Sequence, residues 1–180
     1  MDYSAFPIMR NNISTLKDCS LDSAHHLYLS TSASRVVNFD DVKTEYFSGM
    51  GMSDSKAYSV DVLARINGTD YCMIEFKSNL CGENPGINLK VRDSLLLLCS
   101  ICKTTIDSTR KDIDFIVVYD DSRTNLSTSD KVAIAMANQS GTISSYGKYD
   151  KLEGYCFRKC HICSCEEFEK QFVPRITDII

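Results

Sequence analysis

The sequence predicts an α/β (α+β) fold, a mixed β-sheet flanked by helices. Three observations predict it. Residues Ser59 to Ser78 alternate between apolar and polar about Asn67-Gly68-Thr69-Asp70, the pattern of a β-hairpin. Ile87 to Thr105 carries Leu89, Leu95, Leu96, Leu98, Ile101 and Cys102, a wide apolar stripe at helical spacing. Ile113 to Tyr119 (IDFIVVY) is a near-continuous apolar run of the kind found inside a sheet. A hairpin that feeds a helical crossover into a further strand gives a mixed sheet with helices on its faces.

The remaining elements follow in chain order. The first 16 residues read as irregular. Leu16 to Leu29 reads as a short helix with Leu21, Leu27 and Leu29 as its apolar positions. Asn38-Phe39-Asp40-Asp41 is a cap, and Val42 to Phe47 continues it for a helical turn or two. Ser48 to Lys56 and Leu80 to Gly86 are loops by their Gly, Ser and Pro content. Ser127 to Asn138 is a helix opened by Ser127-Thr128-Ser129-Asp130, and Gly154 to Cys163 a last strand. Ser164-Cys165-Glu166-Glu167 is a capping box that opens a final helix through Phe172.

The chain of 180 residues suits one domain spanning 1–180, with a core over about 20–120 and the C-terminal strand and helices added to it. Apolar content of 43% and charged content of 24% are those of a globular protein. The net charge of −4 counts against tight binding of duplex nucleic acid by charge alone. It does not exclude a site of metal-binding carboxylates, whose charge a cation offsets. No run reaches the ~18 apolar residues of a membrane span, and the start lacks a basic stretch followed by an apolar one. The expectation is a cytoplasmic protein with no membrane partner, in which the nine cysteines are free thiols.

The hairpin carries the candidate chemistry. Val60, Val62, Ala64 and Ile66 alternate with Ser59, Asp61, Leu63 and Arg65. On the second strand Cys72, Ile74 and Phe76 alternate with Tyr71, Met73, Glu75 and Lys77. The apolar faces can share one core, and the acids can share the opposite face. Asp61, Glu75 and Lys77 form the pattern D-x13-E-x-K across adjoining strands. A hard cation such as Mg2+ takes one or two carboxylates plus waters and phosphate. Asp61 and Glu75 are therefore the candidate metal ligands, with the Phe76 backbone carbonyl as a further one, and Lys77 is placed to act on a nucleophilic water. The register decides the matter. A three-residue loop, Asn67 to Thr69, pairs Ile66 with Asp70 and hence Asp61 with Glu75, whereas a two-residue turn sends them to opposite faces.

With these segments in view, the chain resembles the PD-(D/E)xK, or restriction-endonuclease-like, nuclease superfamily. The resemblance rests on SVD (Ser59 to Asp61), IEFK (Ile74 to Lys77), INLKVRDSLLLL (Ile87 to Leu98) and DFIVVY (Asp114 to Tyr119). The IEFK strand with its leucine-rich helix is also similar to a group of uncharacterised bacterial and phage-associated proteins. The resemblance implies a restriction-endonuclease-like mixed sheet and Mg2+- or Mn2+-dependent hydrolysis of phosphodiester bonds in nucleic acid. Asp61, Glu75 and Lys77 would be its catalytic residues. Val60 stands where the superfamily often has Pro, no strand is evident before Asp61, and no Gln-rich motif follows Lys77. The acid often supplied by the first helix has Glu45, Asp41 and Asp40 as candidates. Lys90 and Arg92 are auxiliary candidates for a phosphate-facing patch. The alternative is a catalytically inactive member of the same fold that serves as a binding or protein-interaction module. A plainer alternative is a solvated charged face with weak cross-strand ion pairs.

Other chemistry-bearing residues read as structural. Cys156, Cys160, His161, Cys163 and Cys165 lie within ten residues, along a strand whose alternate side chains point apart, so zinc is disfavoured. His25-His26 reads as a surface pair, and Asp120-Asp121 as a turn cap.

Overall fold

In the computed structural model, residues 1–80, 84–140 and 146–179 are described. The chain opens with a short 3-10 turn and helix α1 (Pro7–Asn11), strand β1 (Ile13–Thr15) and helix α2 (Leu16–Cys19). A small hairpin of β2 (Leu21–Asp22) and β3 (Leu27–Tyr28) follows, then β4 (Arg35–Asn38) and α3 (Phe39–Gly49). The central hairpin is β5 (Val62–Ile66) and β6 (Asp70–Lys77). Helices α4 (Pro85–Cys102) and α5 (Ile106–Asp112) lead to β7 (Ile113–Tyr119), and α6 (Thr128–Ser140) leads to β8 (Cys160–Ser164). Helix α7 (Cys165–Gln171) and β9 (Ile176–Thr177) end the chain.

Seven strands form one mixed sheet in the order β1-β4-β5-β6-β7-β8, with β9 pairing β5 beside β4. The β5–β6 pair is antiparallel, and β6–β7 and β7–β8 are parallel. Helices cover both faces. On one, Leu63, Met73, Phe115 and Val117 pack against Ile87, Val91, Leu95 and Leu98 of α4. On the other, Val62, Ile74, Ile116 and Val118 pack with Phe168 of α7 and Phe172. This is the expected mixed α+β architecture, but the acid-bearing face of the hairpin is a second core and not a solvated surface. Residue Glu75, in the middle of it, has no solvent exposure.

Several element boundaries differ from the sequence expectation, each for a local reason. Leu16 to Leu29 is not one helix. Thr15 caps the four-residue α2, Asp22 accepts from the Ala24 N–H at 3.0 Å, and His26 adopts a left-handed φ of 52°, so side chain–backbone bonds turn the chain into a hairpin. The strand starting at Ser59 begins only at Val62. The Val60 N–H donates to Ser94 Oγ of α4 at 2.8 Å, not to a neighbouring strand, and Val60 joins the α4-side core. The strand from Gly154 shortens to Cys160–Ser164, because Gly154, at φ 69°, forms a turn with Phe157. Helix α4 ends at Cys102 with Lys103 left-handed, and Thr105 caps the separate helix α5. Leu89 and Leu96, read as part of the buried stripe, are exposed on α4. The first residues are ordered as α1 and β1, and the four-residue β4 is the strand before Asp61 that the sequence hid. The loop read over 80–86 falls partly on residues 81–83, which lie outside the described residues.

Candidate functional site

The hairpin register is the one that unites the acids. Ile66 pairs with Asp70 and Val62 with Ile74, which places Asp61 opposite Glu75. The turn achieves this by taking two left-handed residues, Asn67 at φ 50° and Gly68 at φ 79°. The C-terminus fixes it, since Asn67 N–H donates to the Arg175 carbonyl at 2.8 Å and Gly68 N–H to Thr177 Oγ1 at 3.1 Å.

Asp61 stands where the β5 ladder stops. Its carbonyl accepts from the Phe39 N–H at 3.0 Å, at the start of α3. Its Oδ2 accepts from the Phe76 N–H at 2.6 Å. The Phe76 N–H therefore faces Asp61, and because both backbone groups of a strand residue point to the same neighbour, so does its carbonyl.

Four charged side chains meet here. Lys90 Nζ lies 3.0 Å from Asp61 Oδ1 and 2.8 and 3.0 Å from the two carboxylate oxygens of Glu75. Lys77 Nζ lies 2.7 Å from Glu75 Oε1. That oxygen thus has two ammonium groups beside it, yet is buried without a well-directed hydrogen bond. Burial pushes the Glu75 carboxyl up to about 7; the neighbouring Asp61 charge adds to this, and Lys90 and Lys77 oppose it. Burial also raises Asp61, against Lys90 and the Phe76 N–H. Burial alone would lower the Lys90 ammonium, but Glu75 and Asp61 outweigh it and hold it above the ordinary lysine range.

Asp61, Phe76, Lys77 and Ser78 line a cleft of about 280 Å³, together with Asp40 from α3 and Asp22 of β2. The β2–β3 hairpin walls its other side.

The predicted residues divide clearly. Asp61, Glu75, Lys77 and Lys90 converge. Arg92, two residues from Lys90, points away; its side chain is 67% exposed and contacts Asp93. The Lys90 ammonium is turned to the carboxylates, so the two do not form one patch. Glu45 binds Asn11 and Asn12, tying α3 to α1. Asp41 takes part in the Asn38 cap at 2.7 Å. Of the α3 acids only Asp40 lines the cleft, where Ser59 Oγ donates to it. Ser94, whose Oγ accepts from Val60 just before Asp61, is not among the residues predicted for the site. Its signal is a serine one turn after Lys90 within an otherwise leucine-rich helix.

The donor set suits a hard cation: the carboxylates of Asp61 and Glu75, the latter with one buried oxygen lacking a directed donor, and a backbone carbonyl. The Lys90 ammonium marks a place on which both carboxylates already converge. Among the described residues no cluster of three or more His, Cys, Asp or Glu side chains forms a metal site, so waters or phosphate would complete the shell. Cys160 and Cys163 join opposite cores, and His161 packs on the Phe172 ring. His25 pairs with Asp22 at 2.6 Å on the hairpin surface. Asp120 accepts from the Ser122 N–H at 2.9 Å, within a turn. No described helix is long and apolar enough to cross a membrane.

No family model matches the chain, and comparison with curated proteins and with solved structures returns no match.

Proposed function

We propose that the chain is a PD-(D/E)xK-like protein of restriction-endonuclease-like fold that hydrolyses phosphodiester bonds of nucleic acid with Mg2+ or Mn2+, acting in the cytoplasm. The observation that carries this reading is the convergence of Asp61 and Glu75 on one cation position, with Lys77 between it and the cleft. Asp61 and Glu75 would hold the ion, with the Phe76 carbonyl beside them. When bound, the ion lowers the pKa of a water and offsets charge on the phosphate. Lys77 contacts Glu75 and lines the cleft, so its ammonium can orient that water or a phosphate oxygen. Asp40 and Asp22 give the cleft an acidic wall that attracts cations.

The test is incubation of single- and double-stranded DNA and RNA with the protein and Mn2+, beside Lys77→Ala and Asp61→Ala. Cleavage by the wild type that both variants lose is the expected result. Cleavage that survives in both would assign the activity elsewhere.

A second reading, a non-catalytic binding or protein-interaction module of the same fold, is favoured by one observation. Lys90 and Lys77 already balance the charge of Asp61 and Glu75, and Asp61 closes the hairpin ladder through Phe76. Loss of both metal binding and cleavage would leave this reading standing.

A further inference from the structure

Lys90 sits at the cation position itself. Its Nζ is 2.8–3.0 Å from three carboxylate oxygens, one of Asp61 just before β5 and two of Glu75 on β6. A divalent ion bound by those oxygens needs contacts of ~2.0–2.6 Å and the same volume. It is also repelled by an adjacent ammonium, so the two cannot share the place. The backbone beneath Lys90 is fixed, because Ile87, Val91, Leu95 and Leu98 anchor α4 to the sheet. The side chain is not, since it is 23% exposed on a flexible four-carbon stem. Its neighbour Lys77, at 25% exposure, lines the cleft.

We propose that Lys90 is an internal counter-cation that occupies the Asp61–Glu75 site at rest, and that a divalent ion binds by exchanging with its ammonium, which then turns toward the cleft. This rests on the metal-site reading above and deepens it: Lys90 sets the cost of loading the ion. The exchange keeps the buried carboxylates compensated throughout. It also delivers a second ammonium to the side where a phosphate would arrive, so loading of the ion and attraction of phosphate are coupled in one movement.

Calorimetric titration of Mn2+ into wild type, Lys90→Met and Asp61→Ala at about pH 8, above the Glu75 value, tests this. With its competitor removed, Lys90→Met binds Mn2+ about tenfold tighter than wild type or more, and Mn2+ raises its melting temperature further than that of wild type. A second measurement needs no substitution. Amine-reactive labelling of wild type, read by mass spectrometry, shows Lys90 modified several-fold faster once Mn2+ saturates the protein. Lys90→Met binding no tighter than wild type, or Lys90 labelling unchanged or slower with Mn2+, overturns the exchange while leaving the metal site intact. If neither wild type nor Lys90→Met binds Mn2+, the exchange and the metal-site reading fall together.

Discussion

Lys90 Nζ lies 2.8 Å from Oε1 of Glu75, and this contact joins helix α4 to the centre of the sheet. A carboxylate without solvent exposure is tolerated there because two ammonium groups face it. Removing one partner of a buried pair costs ~3–5 kcal/mol, but Lys77 stays at 2.7 Å. Lys90→Met should therefore lose about 1–3 kcal/mol in urea denaturation without Mn2+. Adding Glu75→Gln removes the uncompensated charge and should restore part of that loss. A double variant less stable than Lys90→Met would contradict the pairing.

The same burial gives a pH signature. The Glu75 carboxyl rises from its ordinary 4.5 to about 7 in the folded chain. Between these values the native state binds more protons than the unfolded one, so stability falls as pH rises. The contribution is complete below about 4.5 and is lost through about 7. Wild type should lose stability relative to Glu75→Gln across that window, as measured by urea midpoints at stepped pH. Parallel pH curves for the two proteins would exclude the raised carboxyl.

Much of this site was legible in the sequence, and the reason is geometric. Strand alternation and turn length together determine which residues oppose one another. The sequence narrows the hairpin to two registers, a three-residue Asn67-Gly68-Thr69 loop that opposes Asp61 to Glu75 and a two-residue turn that does not, and the structure takes the first. Lys90 was visible only as a basic residue near a helix start, because its partner depends on how α4 docks. That docking comes from Ile87, Val91, Leu95 and Leu98, whose spacing predicts a buried face but not what lies beneath it. Strands β2, β3 and β4 are two to four residues long, too short to show a period. The burial of Glu75 does not show in the sequence for a related reason. A carboxylate in an alternating strand reads as solvent-facing unless the covering helix supplies its counter-charge.

Ser94 offers a test of how Asp61 is positioned. Its Oγ accepts the Val60 N–H at 2.8 Å, in a segment that has left the ladder. Ser94→Ala leaves a buried N–H unpaired, which costs about 1–3 kcal/mol. It should also weaken Mn2+ binding, since Asp61 follows directly on that segment. A stability loss with unchanged Mn2+ affinity would make Ser94 a packing residue only.

The turn offers another. Gly68, at φ 79°, has open space where a Cβ would lie, so the penalty for Gly68→Ala is conformational, about 1–2 kcal/mol. Mn2+ affinity should be unchanged, because the register survives. Deleting Asp70 while keeping the three-residue loop pairs Ile66 with Tyr71 and sets Phe76, not Glu75, opposite Asp61. That deletion should abolish Mn2+ binding, and a deletion protein that still binds Mn2+ would remove the register from the account.

The central claim is that Asp61 and Glu75 form one cation site. Calorimetric titration of Mn2+ into wild type and Asp61→Ala at matched pH and salt tests it most directly. The account predicts saturable binding to the wild type that disappears in Asp61→Ala while the variant's circular dichroism stays native. No saturable binding to the wild type, or equal affinity in the folded variant, would contradict it.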